Sequence, residues 1–409
     1  MTTLETKSRT WDAQEFEHQV DARVQSLTTA GVVAGDSFMF PATCHAETVW
    51  TLHALIRMGA TAMPVAPNLN DSQEAVLTRY SQAPVPVATW LRLATSGTTG
   101  RPKVVDLTHT QIEASASGSR ERLGHSDTDR WLCCLPLHHI GGLSILLRTA
   151  LYGTTTVLHN GFEARAVSDA IDHADIHLVS LVPTMLQRVL DVRDGRAFPS
   201  SLRAIVLGGA PCPAALLDRC REIQAPVALT WGMTETASQV ATRRPGDLRP
   251  APDVGLPLDG VSIHTEDGRL VVRGAIAPQG EFLTEDRGTL DSHGRVVVKG
   301  RGDALIISGG ENIDPVRIEQ VLMSHPSVTE AVVLGRPDPT WGERPVAFVV
   351  GSSDAMLSEW VSGRLHPHER PAEIHMVSAI PRTALGKIDR GQLRAQIQGA
   401  DGSNELRRR

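Results

Sequence analysis

The chain has 409 residues, of which 41% are hydrophobic and 21% charged, and its formal net charge is −6. This length exceeds what one compact core sustains, so two or more domains are expected in a chain of ordinary globular composition. The acidic balance argues against a nucleic-acid binder, no apolar run reaches the length of a membrane span, and the polar N-terminus lacks the apolar centre of a signal peptide. Five cysteines without CxxC spacing are typical of reduced thiols in a cytoplasmic protein, and argue against a structural metal site.

Helix-like and strand-like patterns alternate through the first half of the chain. Apolar residues at helical spacing predict helices, and short β-branched runs predict buried strands. The alternation predicts a parallel or mixed sheet covered by helices, an α/β fold. The predicted helices are Ala13–Ala30, Glu47–Met58, Thr108–Leu123, Gly141–Leu151, Ala164–His173, Pro183–Val192 and Ala214–Glu222. The predicted strands are Asp36–Pro41, Met63–Val65, Trp131–Leu135, Thr154–Leu158, His177–Leu181, Ala204–Leu207 and Val227–Thr230.

The pattern changes in the second half of the chain. Short strands separated by Asp-Gly, Arg-Gly and His-Gly turns predict a small antiparallel β-subdomain over residues 245–302, which completes an N-terminal domain of residues 1–302. Gly300–Asp303 is a candidate hinge, and residues 303–395 have the pattern of a small α+β C-terminal domain. The polar residues 396–409 predict a frayed tail.

A loop rich in hydroxyl groups and glycine follows an apolar run in the first domain. Small residues let backbone N–H groups approach an anion, hydroxyls add donors, and Lys103 supplies a compact positive charge at the end of the loop. The loop therefore suits a polyphosphate, although it is not the GxxxxGK[ST] phosphate loop. On composition alone, a flexible linker is an equal alternative. The loop residues are Thr95, Ser96, Gly97, Thr98, Thr99 and Gly100.

Three further loops follow predicted strands of the parallel sheet. Functional loops of such sheets gather at the carboxyl ends of the strands, so these three are expected to converge on one site. They are Leu135–Gly142, Gly208–Pro211 and Trp231–Glu235.

Six sequence blocks, taken in order, resemble the adenylate-forming superfamily of acyl-CoA synthetases, peptide-synthetase adenylation domains and luciferases. Each block is weak alone, but six in the right order are hard to obtain by chance. Within the superfamily, the stretch from Leu135 to Leu190 most resembles the 2-succinylbenzoate–CoA ligases of menaquinone synthesis. The blocks are Thr95–Lys103, Leu135–His139, Trp231–Glu235, Thr284–Asp286, Gly300–Asp303 with Ile306–Ile313, and Pro381–Arg390.

The resemblance implies a two-step ligase that uses ATP, Mg²⁺ and coenzyme A. The loop and Lys103 would hold the β- and γ-phosphates, and Glu235 would bind Mg²⁺, which takes few carboxylates together with phosphate oxygens. Lys387 would reach the substrate carboxylate and the α-phosphate, where an ammonium stabilises developing charge. Read without the resemblance, Glu235 is a carboxylate at a helix N-terminus and Lys387 is a solvated loop lysine.

The nucleotide and thiol sites also follow from the resemblance. Asp286 would accept hydrogen bonds from the ribose, with Arg301 beside it, although Thr-Glu-Asp here departs from the family's Thr-Gly-Asp. Trp231 stands where the family often has tyrosine, and either ring can stack on adenine. The loop with Gly208, Gly209 and Ala210 would contact adenine through its backbone, and Gly232, Met233 and Thr234 are further cofactor-binding residues that the resemblance implies.

Other implied positions serve the acyl group, the thiol and the movement between half-reactions. His139 would line the acyl and thiol channel in a binding or gating role, and His138 replaces a usual aromatic residue. The C-terminal domain would rotate about Asp303, and Gly309 and Gly310 would allow a close approach of pantetheine.

The sequence thus predicts an ATP-dependent carboxylate–CoA ligase acting through an acyl-AMP, with 2-succinylbenzoate as the expected substrate. Its partners would be a small carboxylate, ATP and CoA, with no nucleic acid and no membrane span; the oligomeric state stays open, a homodimer being one option. Two alternatives remain: an adenylating enzyme with an amine or carrier-protein acceptor, and an inactive nucleotide-binding protein.

Overall fold

A computed structural model describes residues 2–96, 102–250, 252–301, 305–309, 311–352, 356–382 and 388–405. The chain divides into two compact units. Unit 1 comprises Met1–Glu266, Val271–Leu283 and Leu290–Val297, and unit 2 comprises Asp267–Leu270, Thr284–Thr289 and Val298–Arg409. The predicted pivot Asp303 lies outside the described residues, and the predicted boundary at residues 302 and 303 stays a prediction.

The helices of unit 1 begin and end close to where apolar periodicity predicts them. In the first, Phe16, Val20 and Leu27 are buried at helical spacing, and the Asp12 carboxylate caps the first turn in a reciprocal box with Glu15. The sequence prediction omitted the third helix. The helices are α1 (Ala13–Thr29), α2 (Ala46–Arg57), α3 (Asp71–Ser81), α4 (His109–Leu123), α5 (Ile140–Tyr152), α6 (Ala164–His173), α7 (Pro183–Arg193) and α8 (Ala214–Glu222).

The larger sheet of unit 1 has nine strands in the described residues, in the order β13-β12-β11-β10-β9-β7-β8-β1-β2. Its pairs from β11 to β1 are parallel, and its edge pairs are antiparallel. The fully buried apolar strands at its centre are typical of a sheet covered on both faces. The strands are β1 (Thr3–Thr6), β2 (Thr10–Trp11), β7 (Arg130–Cys133), β8 (Thr155–Leu158), β9 (Leu178–Leu181), β10 (Ala204–Leu207), β11 (Val227–Met233), β12 (Ser238–Thr242) and β13 (Leu256–Pro257).

A second sheet of unit 1 carries the hydroxyl-rich loop. Its order is β3-β4-β5-β6, with β3, β4 and β5 parallel and the last pair antiparallel. The final pair is an antiparallel ladder whose last described step joins Ser96 to Pro102. The strands are β3 (Ser37–Pro41), β4 (Thr61–Val65), β5 (Thr89–Ser96) and β6 (Pro102–Thr108).

A third sheet, in the order β14-β15-β16-β17, corresponds to the predicted β-subdomain. The sequence predicts strands at Val261–His264, Arg269–Arg273 and Arg295–Lys299, which match three of its strands, and does not predict the third in chain order, which includes Asp286. The strands are β14 (Ser262–Glu266), β15 (Arg269–Arg273), β16 (Glu281–Leu290) and β17 (Val296–Arg301).

Unit 2 contains the predicted α+β arrangement with its own apolar core. Its sheet runs β19-β18-β21-β20, with β22 also paired to β21. The strands are β18 (Ile306–Ser308), β19 (Glu311–Ile313), β20 (Val328–Asp338), β21 (Gly342–Gly351) and β22 (Glu373–Met376). The helices are α9 (Pro315–Met323), α10 (Leu357–Ser362) and α11 (Arg390–Glu405).

Two predictions of local structure are wrong. The strand predicted to end at Thr230 continues to Met233 and turns back into β12. The tail predicted to fray from residue 396 is helical to Glu405, because Leu393 and Ile397 are buried in the core of unit 2 and stabilise α11.

Candidate active site

The hydroxyl-rich loop closes a β-hairpin of unit 1. Thr95 pairs with Lys103 across the ladder, and its Oγ1 donates to the Lys103 carbonyl over 3.2 Å. Ser96 pairs with Pro102 as the last step before the tip. The Lys103 side chain is exposed and contacts no carboxylate among the described residues, so its charge is available to an anion. Gly97, Thr98, Thr99 and Gly100 lie outside the described residues.

A short turn carries Glu235 directly after β11. It is a 3₁₀ turn, Thr234–Thr236, and it packs against β6, the strand that contains Lys103 as its second residue. The two predicted phosphate-site charges therefore belong to neighbouring elements of one unit. The half-buried Glu235 carboxylate forms no hydrogen bond or ion pair with the described part of the chain.

Gly232 sets the path of the chain into this turn. The β11–β12 register shifts between Trp231 and Gly232, and a β-carbon at Gly232 would clash with the Ser238 carbonyl. Only glycine permits that approach. The bulge explains why a strand continues through Trp231, Gly232 and Met233, where the sequence predicted a loop.

Buried polar side chains of α4 hold the Glu235 turn. Gln111 Nε2 donates to the Glu235 carbonyl over 3.2 Å, and Ser115 Oγ donates to the Ala237 carbonyl over 2.8 Å. One turn further along α4, Ser119 donates to Gln239 Oε1 in β12 over 2.7 Å. Sequence reasoning missed this set, although polar residues spaced by four in a helix that must face a core are a usable signal.

The predicted adenine residues surround the carboxyl ends of β10 and β11. Trp231 is 8% exposed on β11, next to the bulge, and Met233 and Thr234 are half-buried beyond it. The loop after β10 contains Gly208, Gly209 and Ala210, the last two of them exposed. Because β10 and β11 are parallel neighbours, the structure brings this loop and Trp231 to the same sheet edge.

The two histidines lie at the N-terminus of α5. His139 is the N-cap residue, and its ring lies 4.3 Å from that of His138, measured between centroids. Both ring nitrogens of His138 are buried, and no hydrogen-bond partner for them lies in the described ranges. Burial, followed by the proximity of His139, lowers the pKa of His138 to about 4, so it is neutral at physiological pH.

Arg148 is a buried cation to which the sequence analysis assigned no role. It lies on α5 with 3% exposure, donates from Nη2 to Ser115 Oγ over 3.2 Å, and lies 5.8 Å from the centroid of the Trp131 ring. No carboxylate of the described residues lies within ion-pair distance of it. Burial lowers the pKa of Arg148, but arginine keeps its charge in proteins.

Arg148 lines a cavity between α4, α5 and the Glu235 turn. The other lining residues combine apolar groups with two hydroxyls. The cavity has a volume of about 10 Å³, which is room for about one water molecule. A lone arginine within an otherwise apolar helix was the sequence signal for this site. The remaining lining residues are Ile112, Ser115, Ile140, Ser144, Leu147 and Ala237.

The remaining predicted residues belong to unit 2. Asp286 is half-buried within β16, and Arg301 ends β17 and is exposed. Gly309 follows β18 at a φ of +59°, and a β-carbon there would press on the Trp341 ring. Gly310 and Lys387 lie outside the described residues.

The residues present fit Mg²⁺ as a partner of ATP. No group of three or more His, Cys, Asp or Glu side chains in the described ranges could hold a metal ion by itself. Mg²⁺ needs no such group, since it binds through one or two carboxylates and substrate phosphates. The unpaired Glu235 carboxylate beside the Lys103 strand supplies the carboxylate of such a set.

Comparisons with known proteins agree with this geometry. The family described as AMP-binding enzyme matches residues 93–290, and AMP-binding enzyme C-terminal domain matches residues 317–387. The fold is thus that of an AMP-binding enzyme, with both domains of the family matched.

Individual relatives define the family more narrowly. The chain is 40% identical to a 2-succinylbenzoate–CoA ligase of Bacillus licheniformis over 328 residues, which are 73% of this chain and 68% of the relative. It superimposes with a TM-score of 0.88 and 31% identity on o-succinylbenzoate CoA synthetase of Bacillus subtilis in complex with the acyl-adenylate intermediate, covering 95% of this chain and 94% of that one. The same enzyme with ATP and magnesium gives a TM-score of 0.87 at 31% identity, with 95% and 96% covered. The chain therefore belongs to the 2-succinylbenzoate–CoA ligase family.

Proposed function

We propose that the chain is an ATP-dependent 2-succinylbenzoate–CoA ligase. In the first step, a carboxylate oxygen of the acid attacks the α-phosphorus of ATP, which gives acyl-AMP and releases pyrophosphate. In the second step, the thiol of coenzyme A attacks the acyl carbon and AMP leaves. Family membership and the placement of the site residues within unit 1 support both steps.

One observation supports the substrate in particular, namely the buried and unpaired Arg148 at the cavity. A buried charge without a carboxylate partner is costly, so such residues are usually kept for a ligand. 2-Succinylbenzoate has two carboxylates, of which only one is activated. We assign Arg148 to the second carboxylate of the acid.

Several side chains have roles in the first step. Attack of one anion on another requires positive charge near the oxygens that gain charge in the transition state. We assign Lys103, with the loop from Thr95 to Gly100, to the β- and γ-phosphates, and Lys387 to the attacking carboxylate and the α-phosphate. Glu235 would hold Mg²⁺, which neutralises phosphate charge when bound.

The other predicted residues are assigned to the nucleotide and the thiol. Trp231, with the loop after β10, would hold adenine, and Asp286 would accept from the ribose hydroxyls, with Arg301 as its neighbour. His139, whose ring lies beside that of the neutral His138, is assigned a binding or gating role toward the acyl group and the thiol. Gly309 and Gly310 would line the pantetheine path.

The wider organisation also remains a proposal. Residues 1–302 would act as the adenylate-forming domain and residues 303–395 as a domain that pivots at Asp303 between the two steps. The five cysteines are free thiols, which favours a reducing compartment such as the cytoplasm. None of the described helices has both the length and the hydropathy to span a membrane. A homodimer is one option for assembly, and light scattering would test it.

Pyrophosphate release, measured over a panel of aromatic and aliphatic acids, tests the function. We expect the rate of pyrophosphate release with 2-succinylbenzoate to be at least a hundredfold higher than with either monocarboxylate analogue, meaning a compound that lacks one of its two carboxylates. Mass analysis with CoA, an amine or a carrier protein then identifies the acceptor, and we expect the CoA thioester. ATP binding without release for any acid would favour an inactive nucleotide-binding protein, and an amide product would favour a different adenylating enzyme.

A further inference from the structure

Ser115 lies between the two charged parts of the site. Its hydroxyl donates to the Ala237 carbonyl over 2.8 Å and accepts from Arg148 Nη2 over 3.2 Å. The residue is 1% exposed, so bulk water cannot replace either bond. One buried hydroxyl thus connects the cavity cation to the turn that carries Glu235.

The Glu235 turn requires such support because its backbone is strained. Ala237 and Ser238 follow each other at φ values of +53° and +100°, in the region that favours glycine. A non-glycine residue in this region is strained and persists only where its surroundings hold it. The described bonds from α4 into this turn come from Ser115 and from Gln111, whose Nε2 donates to the Glu235 carbonyl.

We propose that Ser115 is a positioning residue for both substrates: it fixes the Glu235 turn for Mg²⁺–ATP and orients Arg148 toward the second carboxylate of the acid. The assignment rests on the proposed function, because it uses the roles given to Glu235 and Arg148. Ser115 is not assigned a contact with either substrate, and its effect passes through the two groups to which it is bonded. Removal of the hydroxyl therefore perturbs two properties that a purely structural serine would leave unchanged.

The substitution Ser115→Ala tests this role, with Ser119→Ala as the matched control. Both serines are buried on α4 and donate one short hydrogen bond, but the Ser119 bond reaches Gln239, beyond the turn. For Ser115→Ala we expect about a tenfold rise in the Mg²⁺ concentration that half-saturates pyrophosphate release. We also expect about a tenfold loss of discrimination between 2-succinylbenzoate and its monocarboxylate analogues. Ser119→Ala should shift each value less than twofold at a comparable loss of thermal stability.

Two further measurements separate the possible failures. Ser115→Thr keeps the hydroxyl and should restore both values to within threefold of the original chain. Calorimetric titration of the protein with ATP in the presence of Mg²⁺ needs no carboxylic acid substrate. It therefore tests the link to Glu235 even if no acid is activated and the proposed function fails. Equal shifts in the two alanine variants, or unchanged Mg²⁺ dependence and discrimination in Ser115→Ala, would overturn the assignment.

Discussion

At the scale of single residues, the use of lysine is informative. Lysine stands at four of the 40 basic positions of the chain, Lys7, Lys103, Lys299 and Lys387, and arginine at all the others. Arginine is a rigid, planar donor, whereas lysine is a compact charge on a flexible stem. Two of the four lysines are the residues assigned to phosphate and carboxylate oxygens. This distribution fits positions where a small mobile ammonium is needed and a guanidinium would be too large.

Arg148 gives the sharpest prediction at this scale. The substitution Arg148→Met preserves much of the volume and removes a buried charge that has no carboxylate partner. We expect the KM for 2-succinylbenzoate to rise about 10- to 100-fold, since a hydrogen bond to a charged group is worth about 1.5–3 kcal/mol. The affinity for ATP should change less than threefold. Initial rates of pyrophosphate release against acid and ATP concentration measure both values.

The same variant separates a binding role from a packing role. Loss of an unpaired buried cation should leave thermal stability equal or higher, because the desolvation cost disappears. Arg148→Lys should retain part of the acid affinity through its remaining charge. If Arg148→Met lowers the melting temperature and raises the KM values for acid and ATP alike, the arginine supports the fold and does not bind the acid.

At the scale of elements, apolar periodicity was a sufficient guide for most helices and central strands. The bounds of α6, α8 and β10 coincide with the prediction, and a polar residue or a proline directly precedes each segment, namely Glu163, Pro213 and Arg203. The course of β11 through Trp231 and Gly232 was not predictable, because it depends on a bulge formed with β12. The polar side of α4 faces the Glu235 turn; the spacing of its polar residues by four is visible in the sequence, but the partner of that side is a tertiary contact that the sequence does not identify.

The β5–β6 hairpin has an anchor of its own below the phosphate loop. Arg92 is 3% exposed and pairs with Asp106 across the hairpin. It donates to both carboxylate oxygens over 2.7 and 2.8 Å, and to the carbonyls of Tyr80, Ala83 and Pro84 over 2.7–2.9 Å. All five donors of the guanidinium are used, so the hairpin is fixed to the segment that follows α3.

The substitution Arg92→Lys should weaken this anchor, because three ammonium donors cannot replace five planar ones. We expect a loss of about 2–4 kcal/mol of stability through buried acceptors left unpaired. We also expect the dissociation constant for ATP with Mg²⁺ to rise about tenfold, since Lys103 lies in the same hairpin. Denaturant unfolding and calorimetric titration give the two values.

Arg193→Lys is the matched control for this anchor. Arg193 is also buried in unit 1, with one carboxylate partner, Asp172, and carbonyl acceptors, but it lies on α7. It should cost a similar amount of stability and leave ATP affinity within twofold. Similar ATP affinities in the two variants would mean that the anchor acts on stability alone.

At the scale of the whole molecule, the sequence predicted two parts with different architectures, and the chain has two units with separate cores. The change from one part to the other is visible in the sequence because the spacing of apolar residues differs between α/β and α+β segments. The exact division was not predictable, since short segments of β15 and β16 join unit 2 through contacts that are distant in sequence. The units also differ in how their buried ionisable groups respond to pH.

In unit 1 the half-buried histidine His53 lies on α2, with its ring against that of Phe16 on α1. Burial, and then the charge of Arg57, lowers the pKa of His53 to about 4. A lowered histidine pKa means that the neutral form is favoured in the folded state. The contribution of neutral His53 to the free energy of unfolding is therefore lost as the pH falls from about 6.5 through 4. Unit 1 is accordingly expected to weaken in acid.

In unit 2 the carboxyl group of Glu319 on α9 has the opposite effect. Burial raises its pKa to about 7, against the hydrogen bond from the Val333 N–H and the charge of Arg390, while Asp314 raises it further. The protonated form is favoured in the folded state. The contribution of Glu319 to the free energy of unfolding is therefore full below a pH of about 4.5 and is lost as the pH rises through 7.

The substitution Glu319→Gln keeps an acceptor for Val333 without the charge. We therefore expect the free energy of unfolding of Glu319→Gln, relative to that of the original chain, to increase by up to about 3 kcal/mol between pH 4.5 and 8. Urea unfolding of the full chain at intervals of pH measures this difference. A difference that stays constant over that range, or one that falls as the pH rises, would show that Glu319 ionises in the folded protein as readily as in the unfolded chain.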